Sequence, residues 1–150
     1  MTGWRLGWLV VPPRYLREVE KLAQNLYISP PTLSQHAALA SFSAESIAIL
    51  EARRQAFAQR RDVLLEGLTA LGFKISTRPE GAFYLYADIS ALAKDSHALA
   101  SALLEEAGVA CTPGLDFGQQ GAKQHIRFAY TTEVERLHEG LQRMEKFFKR

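Results

Sequence analysis

Two arginines stand in stretches that are otherwise apolar. Arg5 sits in Thr2-Gly3-Trp4-Arg5-Leu6-Gly7, and Arg127 sits in His125-Ile126-Arg127-Phe128-Ala129-Tyr130. A guanidinium stays charged in a protein and is costly to bury without an anionic partner. Its planar fork matches the two oxygens of a carboxylate, or those of a phosphate. Each arginine therefore asks for an anion, which is either an internal Asp or Glu or a ligand. At Arg5 the flanking Gly3 and Gly7 favour a ligand, because a residue without a Cβ lets another group approach the backbone closely.

Other routes to chemistry are poorly represented. The chain has no Gly-rich phosphate loop and no GxSxG. Its four histidines, His36, His97, His125 and His138, are far apart and make no metal pattern. The lone Cys111 excludes an internal disulfide framework and a Cys-rich metal site, and it has no obvious local base. It reads as a core residue, and a cytoplasmic location follows as the default. Arg78, beside the Pro79-Glu80-Gly81 turn, is a surface arginine or a second carboxylate contact. The net charge of +2, from 18 basic and 16 acidic residues, is too small to argue for nucleic acid. No window approaches the roughly 18 apolar residues that a membrane span needs. With 47% hydrophobic and 23% charged residues, the 150-residue chain has the balance of an ordinary globular protein.

The elements that must position these residues follow from periodicity. Trp4 to Val11 is apolar at nearly every position, as expected of a strand buried on both faces. Pro12-Pro13 ends it and opens a helix over Arg14 to Leu26. Pro30-Pro31 breaks that helix. Thr32 with Gln35 forms a capping-box pattern for a second helix, to about Phe42. Ser43 can cap a long third helix that runs to Leu71 before Gly72, with Ile47, Leu50, Phe57, Leu64, Leu68 and Leu71 as its apolar stripe. Arg53, Arg54, Arg60 and Arg61 on its other faces read as solvated. Strands are expected at Phe73 to Thr77, Ala82 to Ala87, Val109 to Thr112 and His125 to Tyr130. Helices are expected at Ser96 to Ala107 and, after a Thr132/Glu135 capping box, through Phe148. The alternation predicts an α/β or α+β domain with helices packed on a small sheet. A fully apolar strand needs neighbours on both edges, so residues 1–45 read as made to pack on something outside this chain.

Four motifs carry a family resemblance. Thr2-Gly3-Trp4-Arg5-Leu6-Gly7-Trp8 resembles the stretch that follows the Schiff-base lysine in class I aminotransferases of the pyridoxal-phosphate (PLP) fold type I. Pro79-Glu80-Gly81-Ala82-Phe83-Tyr84 resembles the family's P-x-G-A-F-Y strand entry. Val109-Ala110-Cys111-Thr112-Pro113-Gly114, followed by Phe117-Gly118, resembles its V-x-x-x-P-G-x-x-F-G loop. Ile126-Arg127-Phe128-Ala129-Tyr130 resembles the strand whose arginine grips the substrate α-carboxylate. The motifs occur in the family's order and span nearly the whole chain.

The resemblance implies that Arg5 contacts the cofactor phosphate and Arg127 binds the substrate carboxylate. It implies PLP as cofactor, amino acids and 2-oxo acids as substrates, and a homodimer. Residues 1–45 would be a remnant of the large PLP-binding domain, and residues 46–150 the C-terminal small domain with the long interdomain helix. The family's lysine would lie just before the matched region. Lys21, Lys74, Lys94, Lys123, Lys146 and Lys149 fall outside the matching motif, so this chain alone is expected to be inactive. Aspartate, alanine, aromatic and branched-chain aminotransferases share these motifs, so the resemblance reaches amino-group transfer and not one substrate. The competing expectation is non-catalytic: a truncated interaction module, or the effector domain of a transcription regulator, although no helix-turn-helix region is present.

Overall fold

The computed structural model of the chain describes residues 1–149. The elements run α1 (Pro13–Leu26), α2 (Thr32–Ala40), α3 (Ala44–Ala70), β1 (Tyr84–Asp88), α4 (Ser96–Ala107), β2 (Thr112–Pro113), β3 (His125–Ala129) and α5 (Val134–Phe148). The chain divides into two compact units, Met1–Ala52 and the residues from Arg53 onward. Among the described residues, no helix is long and apolar enough to cross a membrane.

In the first unit the expected strand from Trp4 to Val11 does not form. Thr2–Trp4 makes a 3-10 turn, with the Trp4 N–H donating to Met1 C=O at 3.0 Å. Arg5 then takes a left-handed φ of 55°, and the chain runs on without strand pairing to Pro12. A strand is held by hydrogen bonds to a neighbour, and this unit has no strand among its described residues. Pro13 starts α1 at its first turn, where its missing N–H costs nothing. The expected capping box of α2 is also absent. The helix starts at Thr32 itself, and the Gln35 side chain donates instead to Pro30 C=O at 3.0 Å. Ser43 does cap α3, accepting from the Ser46 N–H at 3.2 Å.

The second unit holds the core. α3 buries Leu64 and Leu68 there, and stops at Gly72. Gly72 adopts φ 93°, its N–H donates to Thr69 C=O, and the Phe73 N–H reaches back to Leu68 C=O. That is the Schellman arrangement, which satisfies the last helical carbonyls. The expected strand at Phe73 to Thr77 shrinks to one bridge, Lys74 to Asp88, because the chain bends at Ser76 and Thr77 and leaves the sheet edge. β1 starts at Tyr84 and not Ala82, because Ala82 has φ 63°, which no strand can continue. Asp95 caps α4 by accepting from the His97 and Ala98 N–H groups. These bonds, Ala98 first, hold its carboxyl below the usual carboxylate range. Val109 spends its N–H on Leu103 C=O to close α4, so pairing in the next strand begins only at Thr112. The Thr132/Glu135 capping box does not form. α5 begins at Val134, and the Glu133 carboxylate pairs with Arg60 at 2.5 Å.

The three strands are antiparallel in the order β1-β3-β2. Leu85 and Ala87 of β1, with Ile126 and Phe128 of β3, face inward against Leu64 and Leu68 of α3, Leu99 and Leu103 of α4, and Leu137 and Met144 of α5. This mixed architecture of helices on a small antiparallel sheet is the one the sequence predicts. Two of the arginines read as solvated are not: the Arg60 and Arg61 side chains keep only 15% and 16% exposure. Arg61 donates to Asp62 and to Pro79 C=O, fastening α3 to the turn before β1. The guanidinium of Arg61, then that of Arg78, holds the Asp62 carboxyl below its ordinary range.

Candidate functional site: an arginine on an open sheet face

Strand alternation places one residue in two on each side of the sheet. The side away from the core carries Tyr84, Tyr86 and Asp88 from β1, and His125, Arg127 and Ala129 from β3. In register, Arg127 lies between Tyr86 on one neighbour and Thr112 on the other. Its guanidinium carbon is 4.7 Å from the centre of the Phe117 ring and 5.6 Å from that of Tyr84. An Nη donates to Thr112 Oγ1 at 3.2 Å. The Nε is buried and has no hydrogen-bond partner. Among the described residues no carboxylate lies within ion-pair distance of Arg127.

The arrangement is anion-seeking. Aromatic faces attract a cation and fix its plane, but they do not neutralise it. A buried donor without an acceptor costs free energy, and sites of this kind need an explanation. Of the two partners open to Arg127 by sequence, an internal carboxylate and a ligand, the first is not found among the described residues. Arg78 by contrast has its own carboxylate, Asp62, at 2.8 Å, and is well exposed.

Arg5 belongs to the first unit and is not in a strand. It is exposed and lines a depression with Trp8, Leu16, Val19, Tyr27 and Pro30. A Cβ added at Gly3 or Gly7 would meet nothing within 4 Å, so the space beside the arginine's flanks is open. One guanidinium over apolar walls, with open backbone beside it, has the chemistry to take a phosphate group. Lys21 is tied to Glu18 at 2.9 Å and Lys149 to Glu145 at 2.6 Å, both on helix surfaces. Among the described residues no cluster of His, Cys, Asp and Glu could hold a metal ion.

The residues around Arg127 were only partly visible in the sequence. Tyr84 and Tyr86 alternate with apolar residues as Arg127 does, which signals a shared face once β1 and β3 are paired. Thr112 and Phe117 sit in the stretch from Val109 to Gly118, but nothing local says that they meet Arg127. The cavity of about 240 Å³ beside Gly108, Phe128, Arg136 and Met144 does not include Arg127.

The sequence profile of the family "Aminotransferase class I and II" matches residues 1–144. The chain belongs to that family. It is 40% identical over 144 residues to valine–pyruvate aminotransferase of Mycobacterium tuberculosis, covering 96% of this chain and 37% of that protein. It is 42% identical over 148 residues to aspartate/prephenate aminotransferase of Thermus thermophilus, covering 97% of this chain and 37% of that one. A crystal structure of an aminotransferase from Mycobacterium tuberculosis superposes with a TM-score of 0.88 at 39% identity, over 99% of this chain and 38% of that chain. The fold is that of the C-terminal domain of the PLP-transferase fold. The chain thus spans little more than a third of the length of the relatives it matches.

Proposed function

We propose that this chain is the carboxylate-gripping C-terminal segment of a PLP-dependent aminotransferase, one that exchanges an amino group between an amino acid and a 2-oxo acid. The observation that carries the reading is Arg127: a guanidinium on an open sheet face, braced by two aromatic rings and one hydroxyl, with no carboxylate partner among the described residues. In its role the planar fork takes both oxygens of the substrate α-carboxylate and so fixes the orientation of Cα. Arg5, over its apolar depression, fits the phosphate of PLP. When bound, PLP supplies the electron sink for the bond changes at Cα. The aldimine lysine is not among the residues of this segment that match the family's motifs, so we expect the chain by itself to be inactive. A cytoplasmic, homodimeric whole protein, with residues 1–45 in the large domain and residues 46–150 in the small one, completes this reading.

The test is made on the full-length protein that carries this segment. Arg127→Ala should raise KM for the amino acid by the equivalent of about 1.5–3 kcal/mol, the loss of a hydrogen bond to a charged group. An unchanged KM would remove Arg127 from the site. A second reading, a non-catalytic interaction module, is favoured by the apolar residues that the first unit leaves exposed, Trp8, Leu9 and Val10 among them. It would stand if the full-length protein neither bound PLP nor exchanged amino groups.

A further inference from the structure

Two of the three groups that brace the guanidinium of Arg127, Thr112 and Phe117, come from one short segment of chain, and the third is Tyr84 of β1. Thr112 pairs with Arg127 across β2 and β3 and receives its Nη bond. The chain then turns through a 3-10 turn at Gly114–Asp116, closed by the Phe117 N–H donating to Gly114 C=O at 2.9 Å. This turn carries Phe117 back over the same guanidinium. Gly114 is buried, and a Cβ there would run into the carbonyl oxygens of Ala122 and His125 and the Tyr86 hydroxyl. The turn therefore has one close-packed seat. The Phe117 ring is itself braced: it meets Tyr86 edge-on at 6.4 Å, and Tyr86 stacks on His125 at 4.8 Å. His125 Nδ1 is 2.9 Å from Gly121 C=O, which anchors that ring in turn.

Phe117 is half-exposed and lies outside the core cluster, so it is not there to fill the interior. We infer that Phe117 and Thr112 are positioning residues for Arg127, setting the plane in which its fork meets a carboxylate. This rests on the reading of Arg127 as the carboxylate grip. Thr112 fixes one edge of the guanidinium and Phe117 fixes its face. Without either, the side chain regains rotamer freedom and each binding event must order it anew.

The experiment uses the PLP-loaded full-length protein, with hexanoate as carboxylate probe and hexanamide as its uncharged counterpart, binding followed by calorimetric or NMR titration. Phe117→Leu should weaken hexanoate about two- to fivefold, the span of an exposed cation–π contact, and leave hexanamide unchanged. Phe117→Tyr, which keeps the ring, should restore the affinity. Thr112→Val, nearly isosteric and leaving the ring in place, should give a loss of the same carboxylate-specific kind, so the inference is tested even if Phe117→Leu fails to fold. Equal weakening of both probes would make Phe117 a simple apolar wall and overturn the inference. If Arg127→Ala weakens hexanoate while neither neighbour's variant does, the inference falls and the carboxylate grip stands. If Arg127→Ala has no effect either, the grip itself falls.

Discussion

Burial pushes the Cys111 thiol from its ordinary value of 9.0 up to about 11. The thiolate is the nucleophile, so this cysteine is inert at neutral pH, in keeping with its packing against the core. Iodoacetamide should label it far more slowly in the native chain than in urea, and equal rates would show that the thiol is not shielded. The sign of the pH effect follows from the same shift. The folded chain keeps a proton that the unfolded chain loses above pH 9.0, so this contribution to stability is intact below that pH and falls as pH rises through about 11. Arg127 illustrates the opposite case at the same scale. Its charge is permanent, so what the surroundings control is its orientation, through Thr112 and the two rings. The sequence showed an arginine in need of an anion, but it could not show that no internal carboxylate among the described residues would meet the need.

At the scale of the element, the turn from Thr112 to Phe117 depends on Gly114. Two of the atoms that a new Cβ would strike are backbone carbonyl oxygens, which cannot swing aside as a side chain can. Gly114→Ala should therefore cost about 1–3 kcal/mol, as overpacking does, and a chemical-denaturation midpoint would measure it. An unchanged midpoint would mean that the loop from Ala122 to His125 yields freely. The Pro113-Gly114 pair was legible as a turn, but the crowding was not, because the groups that crowd it come from β1 and from the approach to β3. Helices were read more accurately than strands for a related reason. The bounds of α1, α4 and α5 follow local signals: Pro13, the stop at Gly108 and the 3.6-residue apolar period. The expected strand at Phe73 to Thr77 had the right composition, but it keeps only the bridge from Lys74 to Asp88.

The molecule as a whole is uneven. Every residue of the hydrophobic core cluster lies in the unit from Arg53 onward, whereas in the first unit Ser34 is the one buried residue among those described. Ser34 is held by a hydrogen bond from its hydroxyl to Trp4 C=O at 2.6 Å. Local stability follows buried apolar contact. In native-state hydrogen exchange of this chain, amides of β1, β3 and α4 should therefore exchange more slowly than those of α1 and α2, by on the order of tenfold or more. Uniform protection across both units would contradict the picture of a core confined to the second.

By itself the sequence determined the helices, their stops, the class of fold and the family, because helical hydrogen bonds close within four residues and motifs are contiguous. Only the tertiary structure decided the rest. Trp4 to Val11 needed a partner strand to be a strand, and the first unit holds none among its described residues. Phe117 needed the Gly114 turn and the register of β2 on β3 to reach Arg127. Both depend on groups brought together from distant parts of the chain, and such encounters are set by packing rather than by any local pattern of residues.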